Sequence, residues 1–266
     1  MLNFTNKNEA KIAKDFEKNG YIIKDIIDVK SLKDIKKILI NSINKKAKLG
    51  KKIQPDDLLD YFHNKIKKKN LNSIRLDIIK DLNQNKKLKK LYYLIAKPFL
   101  DTLVGNELAM QTKMNLSIQL PRDKSSLLPV HSDVWSGDSA FEIVVWLPLV
   151  DCYKTKSMYI LKPSKLNKVN SIIYKNKKNS SEKLYQYIKK DINWIDIKYG
   201  QVLLFNQTLP HGNRVNNEKE TRWSFNCRFK GIFTPYRDKK IGEFFEPITM
   251  RKISEIAMRY SLPKIK

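Results

Sequence analysis

A chain of 266 residues, 41% of them hydrophobic and 10% aromatic, carries enough apolar material for a sizeable core, which excludes an intrinsically disordered protein. Its formal charge of +26 points by itself toward nucleic acid, an anionic membrane surface or phosphorylated substrates. The cations are mostly lysines scattered among Asn and Ile, however, so most of that charge reads as compositional bias on a solvated surface, with a minority share left for a binding patch.

Met1–Ala10 has no apolar signal core, and no stretch is long and apolar enough to span a bilayer. Residues 1–105 read as mainly helical. Phe16–Asn19 looks like the end of a helix that turns at Gly20 into a short strand, Tyr21-Ile22-Ile23. Ser31 is the expected cap of a helix whose Leu32, Ile35, Ile38, Leu39 and Ile43 follow the 3.6-residue period until Gly50. The same period recurs in Leu71, Ile74, Ile78, Ile79 and Leu82, and again in Leu88, Leu91, Tyr92, Ile95, Phe99 and Leu103. The intervening lysine runs are expected to be solvated faces.

At about residue 108 the period drops to two. Met114, Leu116, Ile118 and Leu120 alternate with Asn115, Ser117 and Gln119, the signature of a strand with one polar face. Phe141–Val150, interrupted by Glu142 and Pro148, is too short for a span and reads as a buried central strand. Ser157–Leu161 and Gln201–Phe205 are further strands, separated by a Lys/Asn-rich excursion over 164–199 with one helical piece at Glu182–Lys190. In 222–229, Trp223, Phe225, Cys227 and Phe229 oppose Arg222, Ser224, Asn226 and Arg228. A last amphipathic helix carries Met250, Ile253, Ala257 and Tyr260. Helices at 1–105, a β core over 106–236 and a terminal helix within 237–266 make one expected domain of α+β class. Cys152 and Cys227 form neither a disulfide framework nor a zinc signature, so a cytoplasmic location is expected.

Two of the three histidines lie at strand ends. In His131-Ser132-Asp133 an extended backbone points residues i and i+2 to one side, so both side chains can reach one ion. His211, in Leu209-Pro210-His211-Gly212-Asn213, is a third ligand candidate from a later strand. Two imidazoles and one carboxylate on one face of a metal leave adjacent positions open, the arrangement of non-haem Fe(II) oxygenases. His63 lies in the helical half and is read as structural. The polar face led by Arg222 either lines a pocket, where a dicarboxylate pairs with the guanidinium and Ser224, or is a surface strand with solvated arginines.

These segments, together with Val144–Leu149, Met158–Ser164 and Val202–Phe205, resemble the phytanoyl-CoA hydroxylase-like family of Fe(II)/2-oxoglutarate-dependent oxygenases, and within it the branch of carbohydrate-biosynthesis clusters that includes a streptomycin-cluster oxygenase. The likeness runs in order from Gly20 to Tyr236; Lys162-Pro163-Ser164-Lys165 departs from the family's Pro-Gly-Ser-His turn. The resemblance implies a double-stranded β-helix, a cupin-like jelly-roll with N-terminal helices and a C-terminal helix packed on it. It implies Fe(II) on His131, Asp133 and His211, with 2-oxoglutarate and O2 as cosubstrates. Arg222 would anchor the distal carboxylate, Ser224 would assist, and Trp146 would lie against the cosubstrate. Gln119 and Asn115 are hydrogen-bond candidates for it, or plain side chains of a solvated face. Arg228 would touch cosubstrate, touch an anionic substrate or pair structurally. A carboxylate at 133 favours hydroxylation or another oxidation over halogenation, since related halogenases lack it.

Trp135 and Asp138, directly after the metal motif, are expected at the active-site border, where an aromatic beside an acid suits a sugar, a nucleotide sugar or an aminocyclitol; the alternative is a Ser-Gly-Asp turn with Trp135 packed inside. Two other functions stay open at this stage. One is a nucleic-acid-directed oxygenase, which needs basic residues around the pocket mouth; the other is a jelly-roll binding protein without catalysis.

Overall fold

The structure, a computed structural model, describes residues 4–48, 54–175 and 180–262. Its N-terminal half contains α1 (Lys7–Asn19), β1 (Tyr21–Asp25), α2 (Val29–Ala47), α3 (Pro55–Asp60), α4 (Leu71–Gln84) and α5 (Lys86–Leu103). Asn6 and Glu9 form a reciprocal capping box at the start of α1, and Gly20 ends that helix at φ 76°. A side chain at Gly20 would strike Leu209, so both the left-handed turn and the packing demand glycine. The expected cap at Ser31 is corrected: Asp28 caps α2, because its carboxylate accepts from both the amide and the hydroxyl of Ser31. Gly50 lies outside the described residues; the last helical residue of α2 is Ala47.

The apolar stripes do what their period dictates. Leu32, Ile35, Leu39 and Ile43 of α2 and Leu88, Tyr92, Ile95 and Phe99 of α5 enter one core with the sheet. Each such side chain contributes roughly 1.5–3 kcal/mol on burial. The Tyr92 hydroxyl donates to the Val145 carbonyl at 2.7 Å, so the phenol loses no hydrogen bond by being buried. Pro98 sits inside α5 on its exposed side, so the hydrogen bond that its nitrogen cannot make is lost at the surface and not in the core.

The remaining strands are β2 (Leu108–Gln111), β3 (Asn115–Gln119), β4 (Glu142–Pro148), β5 (Tyr159–Leu161), β6 (Ile192–Trp194), β7 (Gln201–Asn206), β8 (His211–Gly212), β9 (Arg222–Gly231) and β10 (Phe245–Thr249). One antiparallel sheet runs β1-β7-β4-β9-β2-β10, with β3 also on β9; a second, smaller one runs β6-β5-β8. The ten-residue β9 organises the larger sheet. One edge carries β3 along Arg222–Asn226 and β2 along Phe229–Gly231, and the other carries β4. Its apolar face meets the helical layer: Trp223 packs edge-on against Phe62, and Tyr92 meets Phe225 and Phe229. The polar face is therefore turned into the β core. This is the jelly-roll architecture, with helices on the outer face of the larger sheet.

Two segments differ from expectation. The excursion over 164–199 holds α6 (Leu166–Lys175) and β6 as well as α7 (Ser181–Ile188), while residues 176–179 lie outside the described residues. Val169, Leu184 and Ile188 pack with Tyr159 and Leu161 of the smaller sheet, few apolar anchors among many polar residues, which is why the helical period of α6 was hidden. At the C-terminus, 245–249 is strand β10 on the free edge of β2, and α8 spans only Lys252–Ala257. Met250 packs partly against Phe245, whereas Ile253, Ile256 and Tyr260 are exposed. That segment is tied by the Arg251 amide donating to the Glu107 carboxylate rather than by an apolar face. No helix among the described residues is long and apolar enough to cross a membrane.

Candidate metal centre

His131 and His211 face each other across an antiparallel bridge, exchanging both backbone hydrogen bonds at 3.0 and 2.8 Å. Since β8 also pairs with β5, the bridge adds the 131 segment to the edge of the smaller sheet. Gly212 makes this approach possible: a Cβ there would lie 2.8 Å from the Leu128 carbonyl and 2.8 Å from the Tyr159 hydroxyl. Asn213 locks the same loop, its amide donating to the Leu128 carbonyl at 3.0 Å and its side-chain Oδ1 accepting from the Leu128 amide at 2.7 Å.

Both imidazoles are oriented alike. Nδ1 of His131 lies 2.9 Å from the Pro129 carbonyl, and Nδ1 of His211 lies 2.9 Å from that of Leu209. A carbonyl only accepts, so each Nδ1 carries a proton and each Nε2 is the ring nitrogen turned toward Asp133. Those Nε2 atoms stand 3.5 and 3.9 Å from Asp133 Oδ1. The three ligand atoms all lie within 4.8 Å of one another, and Asp133 and His211 are buried. Burial pushes the Asp133 carboxyl up, but its contacts with His131, His211 and the Arg228 guanidinium outweigh it and hold the group well below the usual carboxylate range. Burial and the neighbouring His131 push His211 down to about 4, which keeps it neutral. A neutral imidazole at His211 and an ionised carboxylate at Asp133 are protonation states that a divalent cation requires. The donor set fits such an ion.

The triad opens into a cavity of about 240 Å³ whose walls include Val144, Trp146, Phe205, Arg222, Asn226 and Arg228. Arg222 is the anomaly in that wall. It is buried, its Nη1 donates to the Ser157 carbonyl at 3.0 Å and its Nη2 to Ser117 Oγ at 2.8 Å, while Nε has no partner. Burial pushes it down to about 10, opposed only by the Cys152 thiol and by no carboxylate among the described residues. The nearby Ser224 Oγ is buried without a partner as well. A buried guanidinium with no anion is costly, and orphaned donors beside it are what a bound carboxylate would satisfy.

The other predicted site residues divide. Trp146 and Asn115 line the cavity. Gln119 does not: its amide donates to the Arg214 carbonyl, because its register opposite Arg222 lies past the cavity wall. Ser224 shares the polar face of β9 but is overshadowed at the wall by Ser117, its partner in the register. Asp138 is corrected as a substrate contact: it is 1% exposed and committed to Arg228 and Lys239. Trp135, on the 3-10 turn Asp133–Ser136, is half exposed outside the cavity wall rather than packed inside. His63 is structural, 3.0 Å from Thr221 Oγ1. Sequence reasoning missed Ser117, Asn213, Gln207 and Gln111; only Asn213, beside His211-Gly212, stood in a motif that could have flagged it. A larger hollow of about 640 Å³ lies between α5 and β10, lined by Lys89, Tyr93 and Pro247 among others, but no metal-ligating set among the described residues borders it.

Solved structures share this architecture along most of its length. ThoJ, a non-heme monooxygenase in complex with nickel, matches with a TM-score of 0.57 at 13% identity, over 90% of this chain and 84% of its own. EctD from S. alaskensis, with 2-oxoglutarate and 5-hydroxyectoine, gives 0.57 at 16% identity over 88% and 80%. HygX from Streptomyces hygroscopicus, with nickel and 2-oxoglutarate, gives 0.51 at 11% identity over 89% and 90%. No family model and no curated protein matches the sequence. At such identities the likeness is one of fold, and the fold is the double-stranded β-helix expected from the sequence.

Proposed function

We propose that this chain is an Fe(II)- and 2-oxoglutarate-dependent oxygenase, a single catalytic domain of the phytanoyl-CoA hydroxylase-like kind, which hydroxylates or otherwise oxidises a small sugar-related substrate. One observation carries the reading: a preset His-Asp-His triad and a buried guanidinium without an anion share one cavity. The neighbours solved with nickel, with 2-oxoglutarate or with both support it.

His131, Asp133 and His211 would hold the iron, and Arg222 the distal carboxylate of 2-oxoglutarate, with Ser117 or Ser224 beside it. The bound pair supplies an oxidant from O2, with oxidative decarboxylation to succinate and CO2. Around it the chain's own residues orient and exclude water. Val144, Trp146 and Phe205 give one wall an apolar surface, and Phe205 packs edge-on against His211 with ring centroids 4.9 Å apart. Asn115 and Asn226 line the same cavity and make no side-chain hydrogen bond within the described residues, so each offers a free donor and acceptor. Such amides, with half-exposed Trp135 two residues beyond Asp133, suit a hydroxyl-rich ring such as a sugar, nucleotide sugar or aminocyclitol. A carboxylate at 133 fills the position that halogenation needs open. Two free buried cysteines suit a cytoplasmic setting.

The test is anaerobic addition of Fe(II) and 2-oxoglutarate, which should give the weak visible band of the chelate. Succinate release should then appear with a subset of nucleotide sugars, free sugars and aminocyclitols and vanish in Asp133→Ala. A protein that retains no iron and shows no band is not an oxygenase of this kind.

A further inference from the structure

Arg228 lies on the polar face of β9, in the cavity wall but away from Arg222, and its guanidinium lies within reach of four side-chain oxygens from three segments. Nη2 lies 2.9 Å from Asp133 Oδ1 and Nε 3.2 Å from Asp138 Oδ1. Nε also donates to Gln207 Oε1 at 3.1 Å, and Nη1 to Gln111 Oε1 at 3.2 Å. The acceptors are held in turn. Lys239 pairs with the other oxygen of Asp138, and the Gln207 amide donates to the Ser139 carbonyl at 2.9 Å and to Glu142 at 2.8 Å. The Gln207 carbonyl accepts the Asp133 amide at 3.2 Å, so one residue fixes both the guanidinium and the backbone it serves.

We propose that Arg228 is a positioning residue that sets the orientation of the Asp133 carboxylate for metal binding. This rests on the metal-centre reading above. The terminal torsion of aspartate is soft and nearly two-fold, so backbone geometry alone does not decide which oxygen faces the histidines. Apart from the imidazoles, Arg228 is the side-chain partner of that carboxylate among the described residues, and it holds Oδ1, the oxygen facing both Nε2 atoms. Once the imidazole nitrogens face an ion, the guanidinium is the donor left to hold the carboxylate. The clamp needs a planar fork with donors in several directions, which the point charge of lysine does not supply. Because its contacts are these, Arg228 is not the 2-oxoglutarate anchor; that task stays with Arg222.

Simple electrostatics gives the opposite sign, since a cation touching a ligand should weaken a dication site. The sign therefore decides. Anaerobic Co(II) titrations on the full chain compare wild type with Arg228→Lys, Arg228→Met and Asp138→Asn, each checked for folding by its thermal transition. The Co(II) dissociation constant should rise about 10- to 100-fold in both Arg228 variants, the usual effect of losing an outer hydrogen bond to a metal ligand. It should rise by less in Asp138→Asn, and lysine should not rescue although it keeps the charge. The 2-oxoglutarate requirement of metal-saturated Arg228→Lys should stay near wild type. Wild-type affinity or tighter binding in the folded Arg228→Lys variant overturns the proposal; where Arg228→Met does not fold, the other two variants decide it. Failure of the wild type to bind Co(II) overturns the metal-centre reading, and this inference with it.

Discussion

The guanidinium of Arg222 sits among neutral acceptors with its charge unanswered, and that imbalance has two consequences of different sign. Replacing it by methionine removes a buried, unpaired charge along with two hydrogen bonds, so the metal-free protein should lose less than about 1 kcal/mol of stability. The same change should raise the 2-oxoglutarate requirement about 10- to 100-fold, the loss of a charge-assisted pair worth roughly 1.5–3 kcal/mol. Thermal melts with and without 2-oxoglutarate separate the two: the ligand-dependent rise in Tm should disappear in Arg222→Met while the baseline barely moves. A variant that keeps the ligand-dependent rise would move the anchor elsewhere in the cavity. At this scale the polar alternation of 222–228 was legible in the sequence. Which arginine kept a free charge was not, because Asp138, Gln207 and Gln111 come from distant parts of the chain.

Among the elements, the two-residue β8 has the narrowest tolerance. It pairs with β5 on one edge and bridges His131 on the other, and Gly212 is where three backbones crowd. A Cβ at 212 would meet carbonyls of the 128–129 segment, which cannot swing aside as a flexible side chain would. Gly212→Ala should cost about 1–3 kcal/mol and loosen metal retention together, because His211 is the preceding residue of the same short strand. Iron content after gel filtration and the thermal midpoint measure both; a variant that melts normally and holds iron would show that the 126–131 loop yields. The helices α2, α4 and α5 were readable from their period alone, since each buries a regular stripe. Strand β10 was not, because its pairing depends on the free edge of β2 rather than on its own pattern.

Over the whole molecule, 53 basic side chains face 27 acidic ones. Most described ion pairs lie at the surface, and the excess lysines repel one another through water. The Debye length falls to about 10 Å at 0.1 M salt, so raising ionic strength should screen that repulsion and raise the Tm of the metal-free protein. A Tm that stays flat or falls across a chloride series would mean that local pairs already compensate the charge.

The sequence by itself determined the periods, the order of the strands along the chain, and the i, i+2 geometry of His131 and Asp133, because these depend on neighbours within a few residues. It also supplied the three ligand candidates, since few histidines stood at strand ends. Only the tertiary structure decided that the polar face of β9 looks inward. The helices occupy its other face, and a strand pattern does not say which side will be covered. Likewise the proton on each Nδ1, the burial of Asp138 and the clamp on Arg228 arise from backbone and side-chain partners that long-range pairing alone brings together.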